Sequence, residues 1–359
     1  EGVSWEPIFE HAASTSIGDV TLAASDQNIV WVGTGEANIF RSSMAGAGVY
    51  KSTDGGDTWE HKGLGDTHTI PRIQIHPTNP DIVYVAASGH EWTENPDRGI
   101  YKTTDGGRTW RNTLFVSDST GAMDVEIQPG NPDIVYAWMS RIERKPWTII
   151  SGSREGGFYK STDGGESFDH IMNGLPNELI GKANLGVTAA DPDRIYALVE
   201  AKKNVLLRSD DGGLKFRVVN KEDNIAPRPF YYCDIRIDPK NADRIYNLHS
   251  SITLSEDGGK SFRQLVGYGQ AHPDHHTMWI DPNNPRTILE GNDGGVSISR
   301  DHGATWGFVT QLPLAQFYHI AVDMDVPYNV YGGMQDNGSW RGPNTVWENG
   351  GIRHHPWEE

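Results

Sequence analysis

A short motif that recurs six times constrains the fold of this chain more than any other feature of its sequence. The motif reads Ser/Thr-x-Asp-x-Gly-x-x-Trp/Phe, and its first copy runs from Ser52 to Trp59. Self-similarity at a spacing of about 50 residues indicates an architecture of repeated supersecondary units. The aspartates of the six copies are Asp54, Asp105, Asp163, Asp211, Asp257 and Asp301.

A second pattern runs in phase with the aspartate motif. Residues 73–84 read as a strand, a turn rich in Pro, Asn and Asp, and another strand. A third strand follows, the aspartate motif forms the next turn, and its aromatic residue opens a fourth strand. This pattern predicts an all-β fold, a seven-bladed β-propeller of four-stranded antiparallel blades. The other copies lie at residues 125–136, 187–196 and 235–246, with looser ones at 22–31, 279–289 and 322–331.

The predicted domain is a single propeller over residues 1–359. We expect residues 1–10 to form a closing strand of the last blade, beside Trp340, because a closed ring leaves no open sheet edge. An alternative is that the chain is one piece of a longer multidomain polypeptide.

The aspartate motif has a structural role in this scheme. A carboxylate can accept backbone N–H bonds across a tight hairpin, and Gly56 and its equivalents supply the positive φ that such a turn needs. Trp59 and its equivalents are then expected to fill the wedge between blades.

Composition excludes some functions. The formal charge of −17 argues against nucleic-acid and anionic-membrane binding, because both need a clustered basic surface. A single cysteine, Cys233, excludes an intrachain disulfide and a cysteine metal cluster. No apolar run is long enough to span a membrane, so we expect no membrane insertion.

These repeats resemble the Asp-box (BNR) family, and especially the sortilin-like bacterial propellers and the xyloglucan-cleaving tandem propellers. Residues 274–282, 291–296, 316–319 and 332–340 are similar to large secreted bacterial sortilin-like proteins that are often labelled glycosyl hydrolases. The resemblance implies a propeller fold and a secreted, periplasmic or cell-surface bacterial protein. It leaves open whether the chain is an enzyme.

Three carboxylates are candidates for catalysis. Asp293 lies in Asn-Asp-Gly-Gly after a predicted second strand, which is similar to the catalytic context of the xyloglucan-cleaving propellers. Glycoside hydrolysis needs two carboxyls, and Asp336 or Glu36 from neighbouring blades would supply the second. The alternatives are that Asp293 and Asp336 brace their loops through backbone hydrogen bonds, or that they bind an ion.

Side chains at strand-two ends and in blade-joining loops should converge near the mouth of the channel, where we expect substrate. The candidates for substrate binding are Glu91, Trp92, Arg141, Tyr231, Tyr232, Asn292, Gln335 and Tyr318.

A possible site for a divalent metal ion lies at Asp274, His275 and His276, although the function requires no cofactor. Imidazole and carboxylate suit zinc or a similar ion. Adjacent strand residues point to opposite sides, so only one histidine should face the channel. The alternative is that hydrogen-bonded histidines stabilise a blade junction.

The leading functional interpretation is a propeller that binds, and possibly hydrolyses, a polysaccharide or oligosaccharide. The rival interpretation is a non-catalytic sortilin-like scaffold that binds a protein or peptide partner through the same face. A further domain of the same polypeptide is another possible partner.

Overall fold

The computed structural model describes residues 5–39, 43–310, 312, 314–346 and 357–358. Within these residues the chain is built almost entirely of β-strands, with one 3-10 helix at Gly65–Thr67. Sheet 1 contains β1 (Ile17–Ala23), β2 (Asp26–Thr34), β3 (Val49–Ser52) and β4 (Glu60–His61). Sheet 2 contains β5 (Arg72–Ile75), β6 (Val83–Ala87), β7 (Gly99–Thr103) and β8 (Arg111–Leu114).

The remaining sheets follow in chain order. Sheet 3 contains β9 (Thr120–Ile127), β10 (Val135–Lys145), β11 (Thr148–Ser151), β12 (Gly157–Ser161) and β13 (Asp169–Ile171). Sheet 4 contains β14 (Ala183–Val187), β15 (Ile195–Val199), β16 (Val205–Ser209) and β17 (Arg217–Asn220), and sheet 5 contains β18 (Asp234–Asp238), β19 (Asn241–Leu248), β20 (Ile252–Ser255) and β21 (Arg263–Val266). Sheet 6 contains β22 (His275–Ile280), β23 (Ile288–Asn292), β24 (Gly295–Ser299) and β25 (Gly307–Phe308), and sheet 7 contains β26 (Phe317–Val322), β27 (Asn329–Met334) and β28 (Ser339–Pro343).

The predicted all-β architecture of seven antiparallel sheets is confirmed, and it is a β-propeller. Two sheets depart from four strands. In sheet 3, β10 is long and forms an extra hairpin with β11. In the described part of sheet 7, the position beyond β28 holds only an antiparallel bridge between Arg341 and Glu358.

The N-terminal segment differs from the predicted closing strand. Residues 1–4 lie outside the described residues, and residues 5–10 form no strand. Phe9 instead packs edge-on against Tyr50 and Trp59 of the first repeat, with ring centroids 5.2 and 5.0 Å apart. The segment lies on sheet 1 because these rings offer Phe9 an apolar contact there.

The six aspartate-motif turns share one hydrogen-bond pattern. In the first, the Ser52 hydroxyl donates to Asp54 Oδ1 (2.6 Å) and accepts from the Gly56 N–H (2.9 Å). Thr58 donates to Asp54 through both its N–H (2.9 Å) and its hydroxyl (2.6 Å). These bonds, led by the one from Ser52, lower the pKa of Asp54 to about 2. The aspartates are thus engaged by their own turns.

Neighbouring sheets pack through the aromatic residue and the second glycine of the motif. Trp110 of the second copy lies edge-on to Trp31 of sheet 1, with centroids 5.9 Å apart, and Phe216 packs likewise on Phe158. Gly107 has φ +84°, and a Cβ there would lie 2.6 Å from the Trp31 ring. Glycine is therefore required both by the backbone conformation and by the ring of the preceding sheet.

A belt of buried polar side chains joins the inner strands around the channel. Asp19 accepts a hydrogen bond from a backbone N–H of β5 (2.7 Å). Arg72 donates to Asp124 (2.9 Å), and Asn184 donates to the other Asp124 oxygen (3.0 Å). Asn184 in turn accepts from a backbone N–H of β18 (2.9 Å). The belt links sheets 1 to 5, and its acidic members offset the buried guanidinium.

The connection between β2 and β3 reaches across one mouth of the channel. Ile39 is buried in a cluster with Trp138 and Ile142 of sheet 3. Asn38 accepts a hydrogen bond from Lys182 Nζ (2.6 Å) at the start of sheet 4. This loop, residues 35–39 of which are described, therefore carries sheet 1 side chains over to the far side of the ring.

Candidate functional site

Asp293 lies in the turn that follows β23, at the centre of a polar cluster. Its Oδ1 is 2.9 Å from His276 Nε2, and its Oδ2 accepts a hydrogen bond from the Tyr231 hydroxyl (3.2 Å). Burial raises the pKa of Asp293, but the bond and charge of His276 and the Tyr231 bond outweigh it, so the pKa lies below its usual value. Asp293 is therefore held as a carboxylate.

Sheet 7 contributes Asp336 to this cluster. Asp336 is in the turn after β27, with φ 57°, and its carboxyl forms a hydrogen bond with that of Asp293. The Asn337 amide donates to the Asp293 carbonyl (2.8 Å), and His272 Nε2 lies 2.9 Å from the Asp336 carbonyl. The predicted Asp293–Asp336 proximity is thus present, together with backbone bracing.

Glu36 and Glu91 supply two further carboxyls. Burial raises the pKa of Glu36, the neighbouring His276 opposes the rise, and Asp293 adds to it. Glu91 is 7% exposed, and its Oε2 has no hydrogen-bond partner in the described structure. Burial, reinforced by Glu36, raises the pKa of Glu91 to about 7. Protonated and ionised carboxyls therefore stand side by side at this mouth.

Tyr231 and Tyr232 flank the cluster from the loop before sheet 5. The Tyr231 ring lies 4.7 Å from that of His276 and 5.1 Å from that of Tyr232. Arg228 stacks over both tyrosine rings, at 4.9 and 5.2 Å. Tyr232 is buried, so of the two only Tyr231 is placed to meet a ligand.

Asn292 braces the Asp293 turn from below. Its amide donates to Glu290 (3.0 Å), and its Oδ1 accepts from the Gly294 N–H (2.9 Å). Glu290 is fully buried and also hydrogen-bonds to His275. Asn292, predicted to bind substrate, therefore supports the turn instead of facing a ligand.

The proposed metal ligands are engaged in other contacts. His275 is buried and turned towards Glu290, whereas His276 points the opposite way, to Asp293. Asp274 has φ 62°, and its carbonyl accepts the Asp293 N–H (3.2 Å). Burial, together with the charge of Asp293, raises the pKa of the Asp274 carboxyl. No group of three His, Cys, Asp or Glu side chains able to hold a metal ion occurs among the described residues.

Other predicted residues lie outside the cluster. Arg141 forms ion pairs with Glu143 and Glu94 on the sheet 3 hairpin. Trp92 is partly exposed beside this hairpin, and its carbonyl accepts from Lys145 (3.2 Å). The side chain of Tyr318 is exposed on β26, and the Gln335 N–H donates to a carbonyl of its own sheet (3.0 Å).

Sequence reasoning missed Asn38 and Lys182. Asn38 Nδ2 lies 3.4 Å from His276 Nδ1, so the loop from sheet 1 touches the imidazole that holds Asp293. Only the length of the connection between β2 and β3 hinted at such a reach. An open pocket of about 500 Å³ between sheets 3 and 4, lined in part by Ser151 and Glu200, was not predicted either.

Comparisons with known proteins place this chain among sortilin-like and xyloglucanase-like propellers. Residues 47–205 match the Sortilin-Vps10 family, described as sortilin, neurotensin receptor 3. A xyloglucanase of a Paenibacillus species is 22% identical over 332 residues, covering 87% of this chain and 28% of the relative. An oligoxyloglucan-reducing end-specific xyloglucanase of Emericella nidulans is 24% identical over 166 residues, covering 40% of this chain and 20% of the relative.

Solved structures agree on the fold. An ancestral GH74 enzyme superposes with a TM-score of 0.59 at 14% identity, covering 94% of this chain and 54% of that one. YCF48 bound to D1 peptide superposes with a TM-score of 0.53 at 14% identity, covering 90% and 92%. The predicted resemblance is confirmed. The chain spans 20–28% of the length of the xyloglucanase relatives it matches.

No helix in the described residues is long and apolar enough to cross a membrane.

Proposed function

We propose that this chain binds a glycan at the Asp293 cluster and hydrolyses a glycosidic bond there. The observation that carries the proposal is the separation of carboxyl pKa values within one site. The pKa of Asp293 is lowered and that of Glu36 is raised, although each feels the other's charge. Glycosidases need such a difference between an ionised carboxylate and a protonated acid.

The roles follow from these protonation states. Asp293, held ionised by His276 and Tyr231, is the nucleophile or the base that activates water. Glu36 is the acid that protonates the leaving oxygen, and Asp336 supports Asp293 through their shared hydrogen bond. Tyr231 offers the face on which a sugar ring can stack.

The relatives suggest the substrate class and the setting. Because the Paenibacillus and Emericella relatives are named xyloglucanases, a branched β-glucan is the first substrate to test. We propose that the protein works outside the cytoplasm, as a secreted, periplasmic or cell-surface protein. We further propose that the six aspartate-motif turns are structural Asp-boxes, and that neither a metal nor nucleic acid takes part.

The experiment measures binding and turnover separately. The protein is incubated with xyloglucan and its oligosaccharides, with and without EDTA, and new reducing ends and oligosaccharide affinity are determined. Asp293→Asn should lower turnover by at least about a hundredfold, as expected for loss of a catalytic carboxylate. It should leave the melting temperature and affinity near those of the unchanged protein.

The matched control is Asp169→Asn, an exposed carboxylate on the outer strand β13, which should retain full turnover. Absence of both turnover and oligosaccharide binding in the unchanged protein would reject the proposal. It would favour the non-catalytic scaffold, for which pull-down should then recover a peptide partner.

A further inference from the structure

Sheet 7 stands apart from the packing that joins the other sheets. The inner strands β1, β5, β9, β14, β18 and β22 contact one another in sequence. In the described structure β26 makes no comparable contact with β22 or with β1. The hydrogen bonds described between sheets 6 and 7 lie at the turns that carry Asp293 and Asp336.

The faces on either side of this gap are apolar. On sheet 6, Met278 and Ile280 are buried against sheet 5, whereas Trp279 on the opposite side is 50% exposed, with Leu289 directly across from it on β23. On sheet 1, Leu22 is exposed on the side turned away from sheet 2. Neither face has the polar character of a solvated surface.

Sheet 7 presents a matching apolar face. Val322 pairs with Val330 as Ile280 pairs with Ile288, and an aspartate follows each strand, so Val322 occupies the register of Ile280. At this register Ile280 is buried against the preceding sheet, with 9% of its surface exposed. Val322 is 60% exposed, and Ile320 on the same side of β26 is exposed as well.

We propose that sheet 7 is a hinged element that closes onto sheet 6, burying Ile320 and Val322 against Trp279 and Leu289. The occupant of the sheet 6 face is this chain's own sheet, because the same register already forms the interface between sheets 5 and 6. The hinge is the pair of joined turns at Asp293 and Asp336. Closure is independent of any hydrolysis at that site.

The test compares two valines that are similarly exposed in the structure. Val322 is 60% exposed and Val218, on the outer strand β17 of sheet 4, is 50% exposed. Each is changed to cysteine, and the rate of reaction with a maleimide is measured against the unchanged protein, whose Cys233 is buried. A closed sheet should slow the thiol of Val322→Cys at least about tenfold relative to Val218→Cys, because reaction then requires local opening.

Equal rates, or faster reaction of Val322→Cys, would overturn the proposal, since the open arrangement exposes Val322 more than Val218. Protection that disappears on dilution would also overturn it, because a second copy would then be the cover. If the cysteine variant does not fold, Val322→Asp and Val218→Asp decide the matter. Closure predicts a larger fall in melting temperature for Val322→Asp, and equal falls would contradict it.

Discussion

Replacing Glu91 by Gln tests the electrostatics of the candidate site without any substrate. Glu91 is almost fully buried, and one of its carboxyl oxygens has no hydrogen-bond partner in the described residues. Burial and the neighbouring Glu36 raise its pKa from 4.5 to about 7. The folded protein therefore holds a proton on Glu91 at pH values where the unfolded chain releases it.

This difference sets the direction and size of the effect. Because the folded pKa is the higher one, the stabilisation is fully present below pH 4.5 and is lost as the pH rises through 7. With 1.36 kcal/mol for each pKa unit, the group lowers the free energy of unfolding by about 2.5 kcal/mol between pH 5 and pH 8. For a chain of 359 residues this corresponds to a fall of about 3 °C in melting temperature.

The assay is chemical or thermal unfolding of Glu91→Gln and the unchanged protein at pH 5, 6, 7 and 8. The stability difference between them isolates Glu91 from other buried carboxyls such as Glu126, which both proteins retain. The variant should lose the downward slope that Glu91 causes. Glu222→Gln, at an exposed position, should keep it. Parallel slopes for Glu91→Gln and the unchanged protein would refute the reasoning.

Two further predictions concern the repeat. Asp163→Ala should lower the melting temperature more than Asp211→Ala, because Ser167 donates its hydroxyl to Asp163 whereas Lys215 occupies that place beside Asp211; equal losses in thermal scans would contradict this. Gly107→Ala should destabilise the fold by about 1–3 kcal/mol more than Gly130→Ala in denaturant titrations, because both have a φ near +84° but only a Cβ at Gly107 meets a tryptophan ring. Equal costs would show that backbone strain alone explains the glycine.

The repeated part of the fold was predictable because its physics is local. The aspartate motif contains the hydroxyl, the carboxylate and the glycine of one turn within five residues, so six copies define six turns. The strand–turn–strand pattern then supplies the inner strands. The extra β10–β11 hairpin was not predicted, because it interrupts the repeat with residues that have no counterpart in other sheets.

The site was predictable only in part, because it depends on contacts distant in sequence. Asp293, Asp336 and Glu36 were expected together, since each follows a second strand and these ends share one face of the ring. The partnership of His276 with Asp293 and the raised pKa of Glu91 were not. Both depend on where the loop after β2 crosses the channel, which no local pattern determines.

The polar belt around the channel gives the repeats a fixed order. Each inner strand of the belt presents a different group to its neighbour, so Arg72 meets a carboxylate only when sheet 3 follows sheet 2. Exchanging internal blades by recombination would leave that guanidinium buried without its carboxylate, at a cost of several kcal/mol. A gene that arose by duplicating one unit has thus diverged into an ordered set in which the copies are no longer interchangeable.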